Sequence, residues 1–305
     1  MLGATEVSYA NGPISVAMVI DNRSGTVAVV GLGTMGRKIA AMCLENNNSV
    51  VVLGRTPESG KAALDRFMMD LKRKVEKGKI SPDMLTSMTS RVHLASGPQD
   101  LRDAFLVIEA VNEDMNVKKQ VYQMIEPHMS SRAILATNTS SLPVTELGSA
   151  LKDPSRFVGL HFFNPPEVMK LVEVRRGAKT SEETASATID FAKGLGKTTL
   201  LVPDIPGYYV NRMLFPMLIE SILVFEASGA DPKDIDTAMK LGANHPMGPL
   251  ELCDYIGNDV VLSICNVLWK TTRDRRFEPP ELLRKMVAQG KLGRKTGEGF
   301  HKYVK

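Results

Sequence analysis

Along the first part of the chain, short apolar runs alternate with segments of helical spacing. Thr26–Val30 (TVAVV) and Val50–Leu53 are β-branched apolar runs, and Leu106–Glu109 and Ala133–Thr137 are further runs that each enter a polar loop. Arg37–Glu45 carries apolar residues at helical spacing, and the three asparagines after it suit a helix C-cap. Continuous apolar strands alternating with helices predict an α/β fold with a doubly wound parallel sheet.

The pattern changes after the segment Pro203–Pro206 (PDIP). From Gly207 onward, apolar residues recur at helical spacing, as in Met213, Met217 and Ile222, and no clear strand remains. We therefore expect a linker at this point and an all-helical C-terminal domain after it. The predicted parts are an irregular N-terminal extension over 1–25, a sheet domain over 26–205 and a helical domain over 206–305.

The composition is that of a globular protein without a nucleic-acid or membrane partner. The 305 residues are 43% hydrophobic and 24% charged, and a net charge of +4 is too small to predict nucleic-acid binding. The most apolar stretch, Tyr208–Phe225, is interrupted by Asn211, Arg212 and Glu220, which favours a buried helix over a membrane span.

Cys43, Cys253 and Cys265 form no CxxC pair and are odd in number. They predict reduced thiols, with neither a disulfide framework nor a metal site. The first 25 residues lack the basic and apolar segments of a signal peptide. We therefore expect a cytoplasmic protein.

A glycine-rich turn directly follows the first apolar run and opens the first predicted helix. In the G-x-G-x-x-G pattern the first glycine permits a tight turn, the second lets the backbone approach a pyrophosphate, and the third lets helix and strand pack closely. The helix N-terminus adds free N–H groups and a partial positive charge. The pattern predicts a dinucleotide site formed by Gly31, Gly33, Met35 and Gly36.

The end of the second apolar run bears on which dinucleotide binds. An acidic residue about 20 positions after the glycines would bond the ribose 2′-hydroxyl of NAD, but Gly54 and then Arg55 stand there. A glycine removes the repulsion of a 2′-phosphate, and an arginine pairs with that phosphate bidentately. We predict NADP ahead of NAD; the alternative is an exposed loop arginine with NAD bound through backbone groups.

A histidine and a glutamate are placed symmetrically about a turn in Phe157–Val174 (FVGLHFFNPPEVMKLVEV). If the flanking runs pair as a hairpin centred near position 167, His161 and Glu173 become cross-strand neighbours. A carboxylate beside an imidazole fixes its tautomer and stabilises its charged form, as a general acid/base requires. The spacing alone equally allows a purely structural hydrogen bond.

Polar side chains follow another apolar run, where the sheet edge binds ligands. Asn138, at the end of ATN, is predicted to contact the cofactor. Of the next hydroxyls, Ser141 is expected to cap the following helix and Ser140 to face the ligand. Asn211, at the start of a later helix, is either a cap or a substrate-binding amide.

Five longer motifs strengthen this interpretation: ATNTSSLPVTEL, GLHFFNPPEVMKLVEV, PGYYVNR, AMKLGANHPMGPLEL and GRKTGEGF. In this order they resemble the short-chain 3-hydroxyacyl-CoA dehydrogenase family, particularly its bacterial 3-hydroxybutyryl-CoA dehydrogenases. The resemblance implies a Rossmann-type domain followed by a helical domain that builds a homodimer. It also implies hydride transfer between an NAD(P) cofactor and an acyl-CoA thioester, interconverting 3-hydroxybutyryl-CoA and acetoacetyl-CoA.

The resemblance also implies roles for individual residues. His161 would be the catalytic acid/base, Glu173 its polarising carboxylate, and Ser140 and Asn211 the groups that hold the substrate. Two further residues match cofactor positions: Glu113 near the nicotinamide and Lys118 lining the cofactor cleft. A strongly basic helical segment, 59–79, should meet the CoA phosphate, and the residues predicted for that contact are Lys77 and Lys79.

Two other functions remain open at this level. One is an NADP-dependent β-hydroxyacid dehydrogenase acting on a free acid. Enzymes of that type resemble this chain in the glycine turn and the arginine, but they use a lysine as the acid/base. A non-enzymatic dimer or nucleotide sensor of the same fold would not need His161, Glu173, Ser140 and Asn211 together.

Overall fold

The computed structural model describes residues 25–303, so the extension expected over 1–25 lies outside the described residues except for Gly25. One sheet of eight strands is present, in the order β3-β2-β1-β4-β5-β6-β7-β8. The strands are β1 Thr26–Val30, β2 Ser49–Leu53, β3 Val92–Leu94, β4 Leu106–Glu109, β5 Ile134–Thr137, β6 Phe157–Phe162, β7 Leu171–Arg176 and β8 Thr198–Val202. All neighbours pair in parallel except β6 and β7, which are antiparallel.

Helices flank the sheet and build the C-terminal part. Those within the sheet region are α1 Thr34–Glu45, α2 Pro57–Glu76, α3 Pro82–Ser90, α4 Met115–Ile125, α5 Val144–Gly148 and α6 Glu182–Gly194. Those after it are α7 Val210–Ser228, α8 Pro232–Thr237, α9 Pro249–Ile256, α10 Asn258–Thr272 and α11 Glu281–Ala288. Beyond β8, the only β-structure among the described residues is a set of isolated bridges that join Gly293, Glu298 and Lys302. The predicted fold class, a doubly wound sheet followed by a helical domain, is confirmed.

The first strand and helix form as the sequence pattern predicts. β1 is buried because its neighbours β2 and β4 lie on both sides of it and helices cover its faces. α1 ends at Glu45 with Asn46 as its C-cap, and Asn47 takes the left-handed conformation with φ 64°, as expected where asparagines end a helix. Strand order reverses between β1 and β4, and a crevice opens at the carboxyl ends of strands at such a point.

The β6–β7 hairpin has the register that the symmetric spacing predicts. His161 lies opposite Glu173, and Gly159 lies opposite Arg175, two residues further along β7. Because side chains alternate across a strand, His161, Glu173 and Arg175 share one face of the sheet. Val172 and Val174 point to the other face and join the hydrophobic core there.

The helical part has its own apolar core around α7 and α10. Phe215, Ile222 and Leu268 are buried in it, whereas Met213, on the same helical spacing, is 69% exposed. The spacing therefore predicted the helix but not which of its faces is covered. In the described part of the chain no helix is both long enough and apolar enough to cross a membrane.

Candidate functional site

The glycine turn between β1 and α1 is shaped for close approach of a ligand. Gly31 has φ 93°, and a Cβ there would lie 2.8 Å from the Ala110 carbonyl oxygen. A Cβ on Gly36 would lie 1.8 Å from the Gly31 carbonyl oxygen, so only glycine fits at either position. A Cβ on Gly33 would meet no atom within 4 Å, which leaves that face of the turn open. Met35 packs its half-buried side chain against the core behind the turn.

The N-terminus of α1 has the chemistry of an anion site. Gly33 is the N-cap and supplies no side-chain acceptor, and the first turn contains no acidic residue. The first helical hydrogen bond is donated by the Arg37 amide to the Gly33 carbonyl, so the amides before it have no helical partner. Free amides, a partial positive charge and an open glycine face fit the pyrophosphate of a dinucleotide.

Gly54 and Arg55 adjoin this turn, because the Gly31 amide donates to the Leu53 carbonyl at 2.9 Å. A Cβ on Gly54 would lie 2.4 Å from Gly60 Cα, since the first turn of α2 packs directly on it. The missing acid at this position therefore has a packing cause that the sequence did not reveal. Arg55 is exposed and forms no ion pair or side-chain hydrogen bond with any described residue.

Glu113 organises the loop after β5. Its Oε1 accepts hydrogen bonds from the hydroxyl of Thr139 at 2.6 Å, the amide of Ser140 at 2.9 Å, and the amide and hydroxyl of Ser141 at 3.1 and 2.9 Å. Burial raises the pKa of Glu113, but the Lys118 charge and these hydrogen bonds outweigh it and hold the pKa below its ordinary value. The carboxylate is thus ionised and fixes Ser140 in place.

Lys118 lies beneath the site and not on its surface. Its side chain is 1% exposed, and its Nζ is 2.7 Å from Glu109 Oε1 and 3.4 Å from Glu113 Oε2. Glu109, for which the sequence pattern predicts no role, also accepts hydrogen bonds from Tyr122 and Thr137 through Oε2. The only signal for it was a carboxylate ending the apolar run LVIE.

His161 and Glu173 form a buried pair. Nδ1 of His161 lies 2.9 Å from Glu173 Oε2, and the imidazole is 7% exposed while the carboxylate is fully buried. Glu173 Oε1 accepts the amides of Tyr209 and Val210, both at 3.1 Å, at the start of α7. Both carboxylate oxygens are therefore committed, and a positive helix end favours their charge. Only Nε2 of the imidazole remains for a ligand.

Asn211 joins the two parts of the chain at this point. It is the second residue of α7, whose N-cap is Tyr209, so of the two alternatives for Asn211 the helix cap is excluded. Glu173 accepts the first amides of α7 instead. The Asn211 side-chain amide donates to the Ser140 carbonyl at 3.4 Å, which places Asn211 and Ser140 side by side.

The expected cap by Ser141 is also wrong. α5 begins at Val144 without a side-chain cap from its own N-cap residue, and the Ser141 hydroxyl is bonded to Glu113. The amides of Val144 and Thr145 donate to the Asp204 carboxylate at 3.0 and 2.8 Å. An acceptor some 60 residues away in sequence thus replaces the local one.

The structure also gives the positions of Asn138 and of the two lysines predicted to contact CoA. Asn138 is half-buried and its side-chain oxygen accepts the Phe162 amide at 2.9 Å, which joins the ends of β5 and β6 at the crevice. Lys77 and Lys79 are exposed beyond the end of α2, where Lys74 pairs with Glu45 at the last residue of α1. The glycine turn is at the opposite end of α1, roughly 18 Å away at 1.5 Å per residue, so these lysines lie outside the dinucleotide site, and their contact with the CoA phosphate stays a prediction.

The assembled crevice combines a phosphate-binding helix end with a carboxylate-supported imidazole and a serine–asparagine pair. Such an arrangement can hold a dinucleotide and move a proton at one substrate oxygen. Within residues 25–303, no cluster of three or more histidine, cysteine, aspartate or glutamate side chains could hold a metal ion. Burial raises the pKa of the Cys43 thiol to about 12, which makes that cysteine unreactive.

Two family models match the chain. The model described as 3-hydroxyacyl-CoA dehydrogenase, NAD binding domain, matches residues 26–205. The model described as 3-hydroxyacyl-CoA dehydrogenase, C-terminal domain, matches residues 207–303. Together they span nearly all of the described residues.

Individual proteins of this type are similar to the chain over nearly their whole length. A probable 3-hydroxybutyryl-CoA dehydrogenase of Deinococcus radiodurans is 43% identical over 278 residues, covering 90% of this chain and 99% of the relative. The crystal structure of (S)-3-hydroxybutyryl-CoA dehydrogenase from Ralstonia eutropha superposes with a TM-score of 0.84 at 39% identity, covering 92% of this chain and 99% of that one. FadB2 of M. tuberculosis superposes with a TM-score of 0.86 at 37% identity, covering 91% and 98%.

Proposed function

This chain belongs to the 3-hydroxyacyl-CoA dehydrogenase family, and on that premise we propose that it interconverts 3-hydroxybutyryl-CoA and acetoacetyl-CoA with His161 as general acid/base. The observation that carries the proposal is the His161–Glu173 pair, with Nδ1 held at 2.9 Å and Nε2 left free. Membership of this family does not favour the alternative of a dehydrogenase acting on a free hydroxy acid.

In oxidation, His161 takes the proton of the 3-hydroxyl group through Nε2 while carbon 3 becomes a carbonyl. In reduction it returns that proton to the forming hydroxyl. Glu173 stabilises the imidazolium in both directions, because its carboxylate is held by the hairpin and by the first amides of α7. Ser140 and Asn211, which lie side by side, hold the substrate oxygens and orient carbon 3.

A dinucleotide cofactor fits between the glycine turn and the Glu113 loop. Gly31, Gly33 and Gly36 with the α1 amides would hold its pyrophosphate, and Asn138 would line the crevice beside them. Glu113 would adjoin the nicotinamide through the loop that it fixes, and Lys118 would act through Glu113 because its own side chain is buried. When bound, a nicotinamide dinucleotide supplies the hydride acceptor for oxidation and the hydride donor for reduction.

For the cofactor we propose NADP in preference to NAD. Packing on Gly60 keeps position 54 free of any side chain, so no carboxylate can bind a ribose 2′-hydroxyl there. Arg55 follows directly, exposed and without an anionic partner among the described residues. An arginine in this position pairs with a 2′-phosphate bidentately.

Arg55→Ala is expected to lower kcat/KM with NADPH by about 10- to 100-fold in acetoacetyl-CoA reduction, as loss of a charge-assisted hydrogen-bond pair predicts. With NADH, kcat/KM should change less than about threefold, because NADH lacks the phosphate that Arg55 would bind. Steady-state kinetics with the two cofactors measures both effects. Arg66→Ala, on the exposed face of α2, removes the same charge and serves as the control.

Equal use of NADPH and NADH, unchanged by Arg55→Ala, would contradict the cofactor proposal and leave the family chemistry intact. No turnover of acetoacetyl-CoA with either cofactor would contradict the function itself. Turnover of a free 3-hydroxy acid in its place would then support the alternative enzyme.

We also propose a homodimer, formed by the helical domain over 206–305, while 26–205 forms the dinucleotide-binding domain. α7 and the turn before it expose Tyr209, Met213, Leu223 and Val224 by 42%, 69%, 43% and 43% of their surface. Large apolar side chains gathered on one helix are typical of a surface that another protein covers. A second copy of the chain is the partner that the family resemblance implies.

Wild-type protein is therefore expected to show twice the mass of one chain in light scattering coupled to size exclusion. Met213→Asp should shift the protein toward the single-chain mass, because a charge would be buried at the interface. Met69→Asp is the matched control, since Met69 is 52% exposed on α2 outside the helical domain. Equal effects of the two substitutions would show that α7 is not the interface.

A further inference from the structure

A fully buried arginine lies behind the candidate acid/base. Arg175 is on β7, two residues from Glu173 and on the same face of the sheet, and it is 0% exposed. It lies opposite Gly159, where a Cβ would come within 3.0 Å of both Arg175 Cβ and Val144 Cγ2. The absence of a side chain at Gly159 thus leaves room for the first part of the Arg175 side chain. An enclosed arginine is destabilising unless its charge is compensated.

The compensation comes from one carboxylate and one aromatic ring. Nη2 of Arg175 is ion-paired with Asp204 Oδ1, and Asp204 also accepts the first amides of α5. Among the described residues, none of the three guanidinium nitrogens has a hydrogen-bond acceptor, so the contact with Asp204 is an ion pair and not a hydrogen bond. The guanidinium carbon lies 4.1 Å from the centre of the Tyr208 ring, which presents its negative face to the cation.

Tyr208 in turn contacts His161. The two ring centres are 5.3 Å apart at an interplanar angle of 62°, and Phe163 approaches the imidazole to 4.4 Å. Tyr208 has φ 52°, an uncommon left-handed conformation for an aromatic residue. Burial raises the pKa of Tyr208, so the phenol stays protonated and donates to the Thr139 carbonyl at 2.8 Å. The ring is therefore fixed by its backbone, its hydroxyl and Arg175 together.

From this stack we propose that Tyr208 and Arg175 are positioning residues for His161: the ring holds the imidazole against Glu173, and the charge behind it opposes imidazolium formation. The inference rests on the proposed role of His161. Glu173 favours the charged imidazole and Arg175 disfavours it, so that the same ring both takes and returns a proton. Attraction by Glu173 alone would retain the proton and slow oxidation.

The charged groups around His161 come from several elements. Glu173 is opposite on β7, Tyr208 precedes α7, and the Arg175–Asp204 pair lies beyond Tyr208. Glu113 lies behind the 139–141 loop, whose Thr139 carbonyl accepts the Tyr208 hydroxyl. Loss of Arg175 removes a positive charge and exposes the imidazole to Asp204, and both changes favour the imidazolium. Loss of the Asp204 charge leaves the charge of Arg175 uncompensated, and this disfavours the imidazolium. The two substitutions therefore act in opposite directions.

The test compares the pH profiles of kcat/KM for 3-hydroxybutyryl-CoA oxidation in Arg175→Met and Asp204→Asn. The midpoint is expected to rise in Arg175→Met and fall in Asp204→Asn, each by about one pH unit, the effect of a unit charge at this range in a partly screened interior. Asp204 is partly exposed and keeps the two α5 amides when Arg175 is replaced, so Arg175→Met remains informative where Asp204→Asn, which leaves the buried arginine uncompensated, does not fold. A packing defect alone would lower kcat in both without moving the midpoints apart.

The aromatic ring is tested separately. Tyr208→Leu should lower kcat about 10- to 100-fold with KM within about threefold, because Ser140 remains held by Glu113 and Asn211 while the acid/base is misplaced. Tyr208→Phe keeps the ring and should restore kcat to within about threefold of wild type. Wild-type turnover and its loss in His161→Gln establish the proposed function first. Given that result, coincident pH midpoints in the charge variants or unchanged kcat in Tyr208→Leu would overturn the inference.

Discussion

His161→Gln is expected to lower kcat by about 10³-fold in both directions, the usual contribution of a positioned general acid/base. Glutamine is similar in size and can still donate a hydrogen bond to Glu173, but it cannot carry a proton to or from the substrate. KM should change only a few-fold, because Ser140 and Asn211 do not depend on the imidazole for their contacts. Steady-state reduction of acetoacetyl-CoA and oxidation of 3-hydroxybutyryl-CoA measure the two directions.

The matched control is His93→Gln, which changes an exposed histidine on β3 and should leave both rates unchanged. Cofactor affinity, followed by fluorescence titration, shows whether the His161 variant keeps its fold, since the glycine turn lies on β1 and α1. Retained turnover in a folded His161→Gln protein would exclude this histidine as the acid/base. A lysine-dependent enzyme of the free-acid type would then become the better explanation.

The parts of the site that sequence predicted are those fixed by short-range rules. A β-branched run followed by three spaced glycines leaves few other structures, and Gly31 and Gly36 are required sterically as the pattern implies. The His161–Glu173 pairing followed from equal spacing about a turn, because a strand has period two and a one-residue slip would send Glu173 to the other face. Both features depend on fewer than about twenty consecutive residues.

The parts that sequence did not predict depend on contacts between distant segments. Ser141 is a residue type that commonly caps helices, but the acceptor for the first amides of α5 is Asp204, 60 positions from Val144. Gly54 suggested room for a ligand, and it is also the point at which α2 packs on β2, which no local pattern announces. The position of Arg175 behind Tyr208 requires the whole β7–β8–α7 connection. Residue propensities predict individual helices and strands, whereas these contacts form only when separate helices and strands pack together.

Glu173→Gln is expected to lower kcat by about 10³-fold or more even though the side chain keeps its shape, as loss of a tautomer-fixing carboxylate does in hydrolytic triads. Glu173 uses one oxygen for the α7 amides and the other for Nδ1 of His161. Glutamine has a single oxygen, so it can satisfy only one of these partners. If the oxygen stays with α7, the amide group donates to Nδ1, and the imidazole proton moves to Nε2. Nε2 is then a donor and cannot accept the substrate proton.

The opposite orientation of the glutamine side chain would change a different measured quantity, the Tm, so the two orientations can be distinguished. If the oxygen stays with Nδ1, the first amides of α7 face a donor, and the loss of about 1–3 kcal/mol should appear as a lower Tm. Because two amides of α7 compete with one imidazole nitrogen, we expect the first orientation: a large fall in kcat in both directions with little change in Tm. Glu183→Gln, an exposed carboxylate on α6, should alter neither quantity. Near-normal kcat in Glu173→Gln would mean that the pair is structural, and the proton would then have to be carried by another group in the crevice.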